Sequence, residues 1–208
     1  MLISMSKGFL LVISGPSGSG KGTICTKLLR DDKELVFSVS ATTRNARKGE
    51  REGVNYYFVD DEQFENMIDN GEFIEYARVH RNYYGTPKKP VSDQIARGNI
   101  VILEIDVQGA LQVKKNYSEA VSIFLLPPTM EELRNRLIGR GTETEEQVDI
   151  RYRNAFKELE FVHEYDYVVI NDDIMNALNE IKSIIIAEKT RVSRNKNVLE
   201  NLLHGGGI

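Results

Sequence analysis

The stretch Gly15-Pro-Ser-Gly-Ser-Gly-Lys21-Gly-Thr23 follows directly on the apolar run Phe9-Leu-Leu-Val-Ile13-Ser14. Three glycines in six residues allow positive φ and bring backbone N–H groups close to an anion. Lys21 adds a point charge for nucleotide β- and γ-phosphates. The residues after it, Thr23-Ile-Cys-Thr-Lys-Leu-Leu-Arg30, read as a helix with Ile24 and Leu28 on one face. Its N-terminus therefore aims free amides and partial positive charge at the same phosphate. A strand, a glycine loop, a lysine and a helix in that order predict a phosphate cradle at the end of the first strand of an α/β sheet, formed by Gly15, Pro16, Ser17, Gly18, Ser19, Gly20, Lys21, Gly22 and Thr23. One element is missing. The residue after the lysine is ordinarily Ser or Thr, whose hydroxyl holds Mg²⁺; here it is Gly22, with Thr23 one position late. The competing reading, a glycine-rich turn of some other α/β protein, does not account for the lysine and its helix.

Composition narrows the class. The 208 residues are 41% apolar and 28% charged, as in a soluble globular protein, and the net charge of −4 argues against a general nucleic-acid surface. No apolar run approaches a membrane span, and Met1-Leu-Ile-Ser-Met-Ser-Lys7 lacks the layout of a signal peptide, so a cytoplasmic location is expected. Cys25 is the sole cysteine, read as a buried filler, and the histidines (His80, His163, His204) are scattered. A disulfide framework and a transition-metal site are both excluded on that count. Nothing in the sequence sets an oligomeric state.

Four apolar runs read as buried parallel strands: Phe9–Ser14, Asn99–Asp106, Ser122–Leu126 and Tyr167–Asn171. They are continuous rather than alternating, as when helices cover both faces of a sheet. Helices are predicted over Lys88–Arg97 and Gln108–Lys115, from a capping box Thr129-Met-Glu-Glu132 to about Ile138, and over Asp173–Arg191 with Ile174, Leu178, Ile181 and Ile185 on one stripe. Two stretches break the pattern. Residues 36 to about 90 are rich in Arg and Tyr, with strand-like pieces Asn55-Tyr-Tyr-Phe-Val59 and Glu72-Phe-Ile-Glu-Tyr76. Residues 135 to about 161 carry Arg136, Arg140, Arg151 and Arg153 around a polar loop. Both are placed at the carboxyl ends of strands, where ligands bind in such sheets.

These insertions suit phosphoryl transfer, which needs positioning and cations more than covalent chemistry. Arg44, Arg47 and Arg51, with Tyr56-Tyr57 and Tyr83-Tyr84, offer planar forks and rigid hydroxyls to a second phosphate ester. Five of the nine tyrosines fall between positions 56 and 84, a concentration a random surface does not show. Helix starts at Thr142-x-x-Glu145 or Thr144-x-x-Gln147 put Arg140 before a helix that carries Arg151. Spacing alone leaves open whether that helix is a closing lid or a solvated amphipathic face. Asp106 ends a buried strand and could reach a metal-bound water or the second substrate, with Glu104 on the same face two residues earlier.

Taken together, these residues resemble the guanylate kinase family from about Lys7 to about Arg191. Seven pieces occur in order: Gly15-Pro-Ser-Gly-Ser-Gly-Lys21; Phe37-Ser-Val-Ser40-Ala-Thr-Thr-Arg44-Asn-Ala-Arg47; Gly71-Glu-Phe-Ile-Glu75; Asn82-Tyr-Tyr84-Gly-Thr86; Glu104-Ile-Asp106-Val-Gln-Gly109; Arg140-Gly-Thr-Glu-Thr-Glu-Glu146; and Ile170-Asn171-Asp172-Asp173. The resemblance implies a P-loop NTPase three-layer α/β core with a parallel sheet (residues 1–36, 91–134 and 162–208), a GMP-binding subdomain (37–90) and a helical lid (135–161). It implies Mg²⁺-dependent transfer from ATP to GMP, giving ADP and GDP. On that reading Arg44, Arg47, Tyr56 and Tyr84 grip the GMP phosphate, and Ser40, Glu75, Thr86 and Asp106 read or border the guanine. Lys21, Arg47, Arg140 and Arg151 meet the transferring phosphates, while Arg136 and Asn171 lie on the ATP side. Mg²⁺ is held mainly by phosphates and water, with Thr23 and Asp106 as side-chain candidates. The chain departs from the family pattern at Gly22, at Thr86, where many members have Ser, and at Glu104, where others have Asp. Two alternatives stand beside this reading: another small-acceptor kinase on the same scaffold, and a non-catalytic guanylate-kinase-like module that binds proteins.

Overall fold

The computed structural model describes residues 8–79, 81–139, 144–196, 200 and 203–204. The elements run β1 (Leu10–Ser14), α1 (Lys21–Asp31), β2 (Leu35–Phe37), β3 (Ala41–Thr42), β4 (Tyr57–Phe58), α2 (Asp61–Asp69), β5 (Phe73–Val79), β6 (Asn82–Pro87), α3 (Lys88–Ala96), β7 (Ile100–Glu104), α4 (Val107–Asn116), β8 (Val121–Leu126), α5 (Met130–Ile138), α6 (Glu145–Leu159), β9 (Tyr167–Ile170) and α7 (Ile174–Thr190). Among the described residues these make two sheets.

The first is parallel, in the order β2-β7-β1-β8-β9. Strand alternation sorts its side chains into two layers. Leu11, Ile13, Ile100, Ile102, Ile123 and Leu125 face α1 and α7, meeting Ile24, Leu28, Leu178 and Ile181. Leu10, Val12, Val101 and Leu103 face α3 and α4, meeting Val91, Ile95, Ala110 and Val113. Each such side chain, fully buried, contributes about 1.5–3 kcal/mol. Strand order reverses at β1, so the loop after it opens at the switch point of the sheet, where ligands bind in open α/β folds.

The second sheet has the order β4-β3-β6-β5 and is antiparallel except between β3 and β4. Its core is Phe64 of α2, which stacks on Phe73 at 4.4 Å and on Tyr83 at 5.0 Å between ring centroids. A separate apolar cluster of Leu133, Leu137, Val148 and Ala155 pins α5 to α6.

The structure departs from the sequence expectations in several places. The parallel sheet has a fifth strand, β2, which is three residues long and ends on the half-exposed Phe37, too short for a hydrophobic run to announce it. Helix α2 was not expected, although Asp60 and Gln63 form a full capping box at its start. The run 55–59 pairs as a strand over Tyr57–Phe58 alone. Thr129 caps α5, yet only half of the expected box forms, because Glu132 turns its side chain to Arg136 instead. At α6 the starting cap is Thr144 with Gln147, and Thr142 lies outside the described residues. Ile174 is exposed, so the buried stripe of α7 runs Ala177, Leu178, Ile181, Ile185. The expected limit at residue 134/135 falls inside α5.

Candidate active site

The cradle takes the backbone its glycines permit. Gly15, Gly18 and Gly20 have φ of 135°, 95° and 98°. Close packing enforces glycine at two of them: a Cβ would stand 2.3 Å from the Leu125 carbonyl oxygen at Gly15 and 2.3 Å from Asn171 Nδ2 at Gly20. Gly20 is the N-cap of α1 and offers no side chain to the first-turn amides, which stay available to an anion. Lys21 folds back over the loop, its Nζ donating to the carbonyls of Gly15 at 2.6 Å and Pro16 at 3.1 Å. Burial lowers the pKa of Lys21, while Glu104 and then Glu158 act to hold its charge. Both carboxyls are in turn raised by burial and drawn down by Lys21.

Two further elements reach the cradle from far along the chain. The buried Asn171, just after β9, donates from Nδ2 to the Ser19 carbonyl at 2.7 Å, and its own carbonyl accepts from Arg136 Nη2 at 3.1 Å. Arg136, Asn171, Gly20 and Thr23 line a cavity of about 400 Å³ with Asp172 and Asp173. From α6, Arg151 Nη1 donates to Ser17 Oγ at 3.1 Å, so this helix lies against the loop. Arg140 lies outside the described residues.

The second group sits on the antiparallel sheet. Arg44 Nη2 bonds both oxygens of Glu50 at 2.9 and 3.0 Å, and its guanidinium lies 5.4 Å from the centroid of the Tyr56 ring. Tyr84 meets Tyr56 edge-on at 6.0 Å between ring centroids. Glu50 also accepts from the Arg47 amide at 2.7 Å, leaving the Arg47 side chain exposed. Deeper in, Glu75 is 7% exposed and accepts from the Thr86 hydroxyl at 2.6 Å. Burial raises the Glu75 pKa, Thr86 opposes the rise, and the charge of nearby Asp106 adds to it. Asp106 caps α4 by accepting from the Gly109 amide at 2.9 Å. Ser40 is half-buried, its carbonyl accepting from the Tyr57 amide at 2.9 Å.

Three carboxylates of this arrangement were missed or left without a role in the sequence. Glu50 organises Arg44 and Arg47 from a loop with no periodicity to reveal it. Glu104 faces the start of α1, with a Cβ at Gly22 falling 3.6 Å from its Oε1. Glu158 shares a helix face with Arg151 seven residues earlier, a spacing that was readable. Cys25 is buried and its thiol is pushed up to about 12, mainly by burial, which makes it inert.

A family model for guanylate kinase matches residues 7–188. The chain belongs to the guanylate kinase family. The guanylate kinase of Clostridium tetani is 54% identical over 204 residues, covering 96% of this chain and 98% of that protein. The guanylate kinase of Caldanaerobacter subterraneus is 55% identical over 192 residues, covering 92% and 93%. Among solved structures, the crystal structure of guanylate kinase from Anaplasma phagocytophilum matches with a TM-score of 0.71 at 41% identity, covering 91% of this chain and 90% of that one. The guanylate kinase match therefore spans the parallel core, the antiparallel sheet and α6 alike. No described helix is long and apolar enough to cross a membrane.

Proposed function

We infer that the chain is an ATP:GMP phosphotransferase, moving the γ-phosphate of ATP to GMP and releasing ADP and GDP. The observation that carries this reading is the buried Glu75–Thr86 pair, a base-reading carboxylate on the same chain as an uncapped phosphate cradle. Guanine presents N1–H and the N2 amine side by side, and one carboxylate accepts both. Adenine has neither donor there, so it would leave Glu75 buried and unpaired, a costly outcome.

The remaining roles follow from position. The loop 15–20 and the first turn of α1 receive the ATP phosphates, and Lys21 swings from the loop carbonyls onto the β- and γ-phosphates. Arg136 and Asn171 border the ATP side. Arg44, Arg47, Tyr56 and Tyr84 hold the GMP phosphate, with Ser40 and Asp106 beside the guanine. The acceptor oxygen is already ionised near neutral pH, so no strong general base is required. Arg151, on a helix that touches Ser17, and Arg140 supply positive charge to the transferring group. Residues 37–90 act as the acceptor unit and 135–161 as the closing segment on the core formed by the rest.

Mg²⁺ fits this donor set as a companion of ATP. Among the described residues no group of three or more His, Cys, Asp or Glu could cage it, so phosphates and water complete its shell, with Thr23 and Asp106 as nearby oxygen donors. When bound it offsets the charge of the β- and γ-phosphates.

Measuring ADP release with ATP against GMP, AMP, UMP and CMP tests the reading. GMP turnover exceeding the others by about a hundredfold or more is expected; equal rates for AMP and GMP overturn it. Lys21→Ala should lower kcat by about a hundredfold or more while the protein stays folded. A non-catalytic protein-binding role is not favoured, because Lys21, Arg44 and Arg47 are all retained.

A further inference from the structure

Glu75 is reached from a second direction, by the core. In β5 the usual alternation is broken: Phe73 pairs with Pro87 but Glu75 pairs with Thr86, so Ile74 is an extra residue, a β-bulge. Paired residues share a face of a sheet and consecutive ones do not. The bulge therefore turns Glu75 to the face opposite Phe73. Phe73 joins the Phe64 cluster, Ile74 enters the apolar layer under α3 and α4, and Glu75 meets Thr86. Bulges of this kind re-aim side chains beside active sites.

Helix α4, whose Ala110 and Val113 pack in that same layer, holds the bulged segment from outside. β5 ends its sheet, so among the described residues no further strand bonds its far side. Gln112 takes that place. Its Oε1 accepts from the Tyr76 amide at 3.2 Å, and its Nε2 donates to the Tyr76 carbonyl at 3.0 Å. One turn on, Asn116 Nδ2 donates to the carbonyl of Ile74, the extra residue, at 2.9 Å. The third contact is a close approach: a Cβ at Gly109 would stand 3.2 Å from Glu75 Oε2. Gly109, Gln112 and Asn116, spaced by three and four, form one face of α4. The residues before and after Glu75 are thus bonded to a core helix, and its carboxylate lies against the same helix face.

We propose that Gln112 and Asn116 are positioning residues for guanine recognition: they fix the β5 backbone on both sides of Glu75, so that its carboxylate is set before the nucleotide arrives. Two donors side by side on the base require one carboxylate in one orientation, and a rigid mount removes the cost of ordering it on binding. The competing role is cover for a bare sheet edge, with no part in recognition.

The inference rests on the base-reading role of Glu75 proposed above, and its test separates the two. Gln112→Met keeps the length of the side chain and removes both bonds to Tyr76. It should raise the KM for GMP about tenfold while kcat and the KM for ATP hold. IMP keeps the ring N1–H and lacks the N2 amine, so it should lose less, and the preference for GMP over IMP should fall. Asn116→Ala should follow the same pattern, and thermal melting establishes that each variant is folded. In the Glu75→Gln background, Gln112→Met should add little further loss, because no carboxylate is left to aim. Parental KM for GMP in the folded variants overturns the proposal. So does a loss that adds in full to that of Glu75→Gln, or one shared equally by GMP and IMP, since both are marks of a generally loosened sheet. If Glu75→Gln itself leaves the KM for GMP unchanged, base reading by Glu75 falls and its mount with it.

Discussion

Glu75 is the residue whose environment makes the sharpest demand. Its carboxyl is raised above the ordinary 4.5 because burial disfavours the ionised form. An acid raised in the folded state contributes stability that is complete below its unfolded pKa and is lost as pH rises through the folded one. Glu75→Gln should therefore melt at a higher temperature than the parent near pH 8, with the difference closing toward pH 4. Recognition runs the other way. On the proposed role guanine would need the ionised form, so the KM for GMP should climb as pH falls, with a bend above 4.5 that Glu75→Gln abolishes. Flat parental KM across that range would remove Glu75 from base reading. Cys25 gives a plainer expectation: a buried thiol at about 12 should resist a thiol-specific chromogenic reagent in the native protein and react once it is unfolded. Burial of Cys25 was legible from its place in α1, because Ile24 and Leu28 fix that helix's inner face. The surroundings of Glu104 were not, since Gly22 and Glu104 lie 82 positions apart and nothing local joins them.

At the scale of elements, the antiparallel sheet depends on one ring. Phe64 has no exposed surface and is clamped between Phe73 and Tyr83, so Phe64→Ala should cost about 3–5 kcal/mol. Because this cluster is separate from the clusters of the parallel sheet, the loss should fall on the GMP side. Hydrogen exchange would then show faster exchange over 57–87, and KM for GMP would rise several-fold while affinity for ATP held. A uniform loss of protection throughout the chain would show instead that the two sheets unfold as one unit. The contrast in legibility between them has the same origin. β1, β7 and β8 are buried on both faces, so they are written as unbroken apolar runs that few other structures explain. The antiparallel sheet is half-solvated and uneven: beside β5 and β6, of seven and six residues, β3 is only the pair Ala41–Thr42, stabilised by the Thr42 hydroxyl bonding the Tyr83 carbonyl at 2.8 Å. A two-residue strand held by a partner forty-one positions away leaves no periodicity to read.

For the whole molecule, the question is what draws the three parts together. Arg44, Arg47, Tyr56 and Tyr84 are carried by the antiparallel sheet and its loops, Lys21 by the core, and Arg151 by α6. Cationic groups on separate elements repel until an anion lies between them, and the combined phosphates of ATP and GMP place several negative charges at that point. On the proposed assignment either nucleotide alone would engage one outer part with the core and both together would engage all three, and expelling water would strengthen every contact within. The two outer parts do not start alike. α6 already rests on the cradle through Arg151 and Ser17, and its apolar seam with α5 holds it there. The antiparallel sheet should therefore make the larger movement. X-ray scattering of the free protein, of each single-ligand complex, and of GMP with a non-hydrolysable ATP analogue should show the smallest radius of gyration in the ternary complex. GMP alone should give a larger share of the change than the ATP analogue alone, because GMP acts on the part with farther to travel. Equal dimensions in all four states would sink closure as the means of excluding water, and would leave Arg151 poised in place before either substrate arrives.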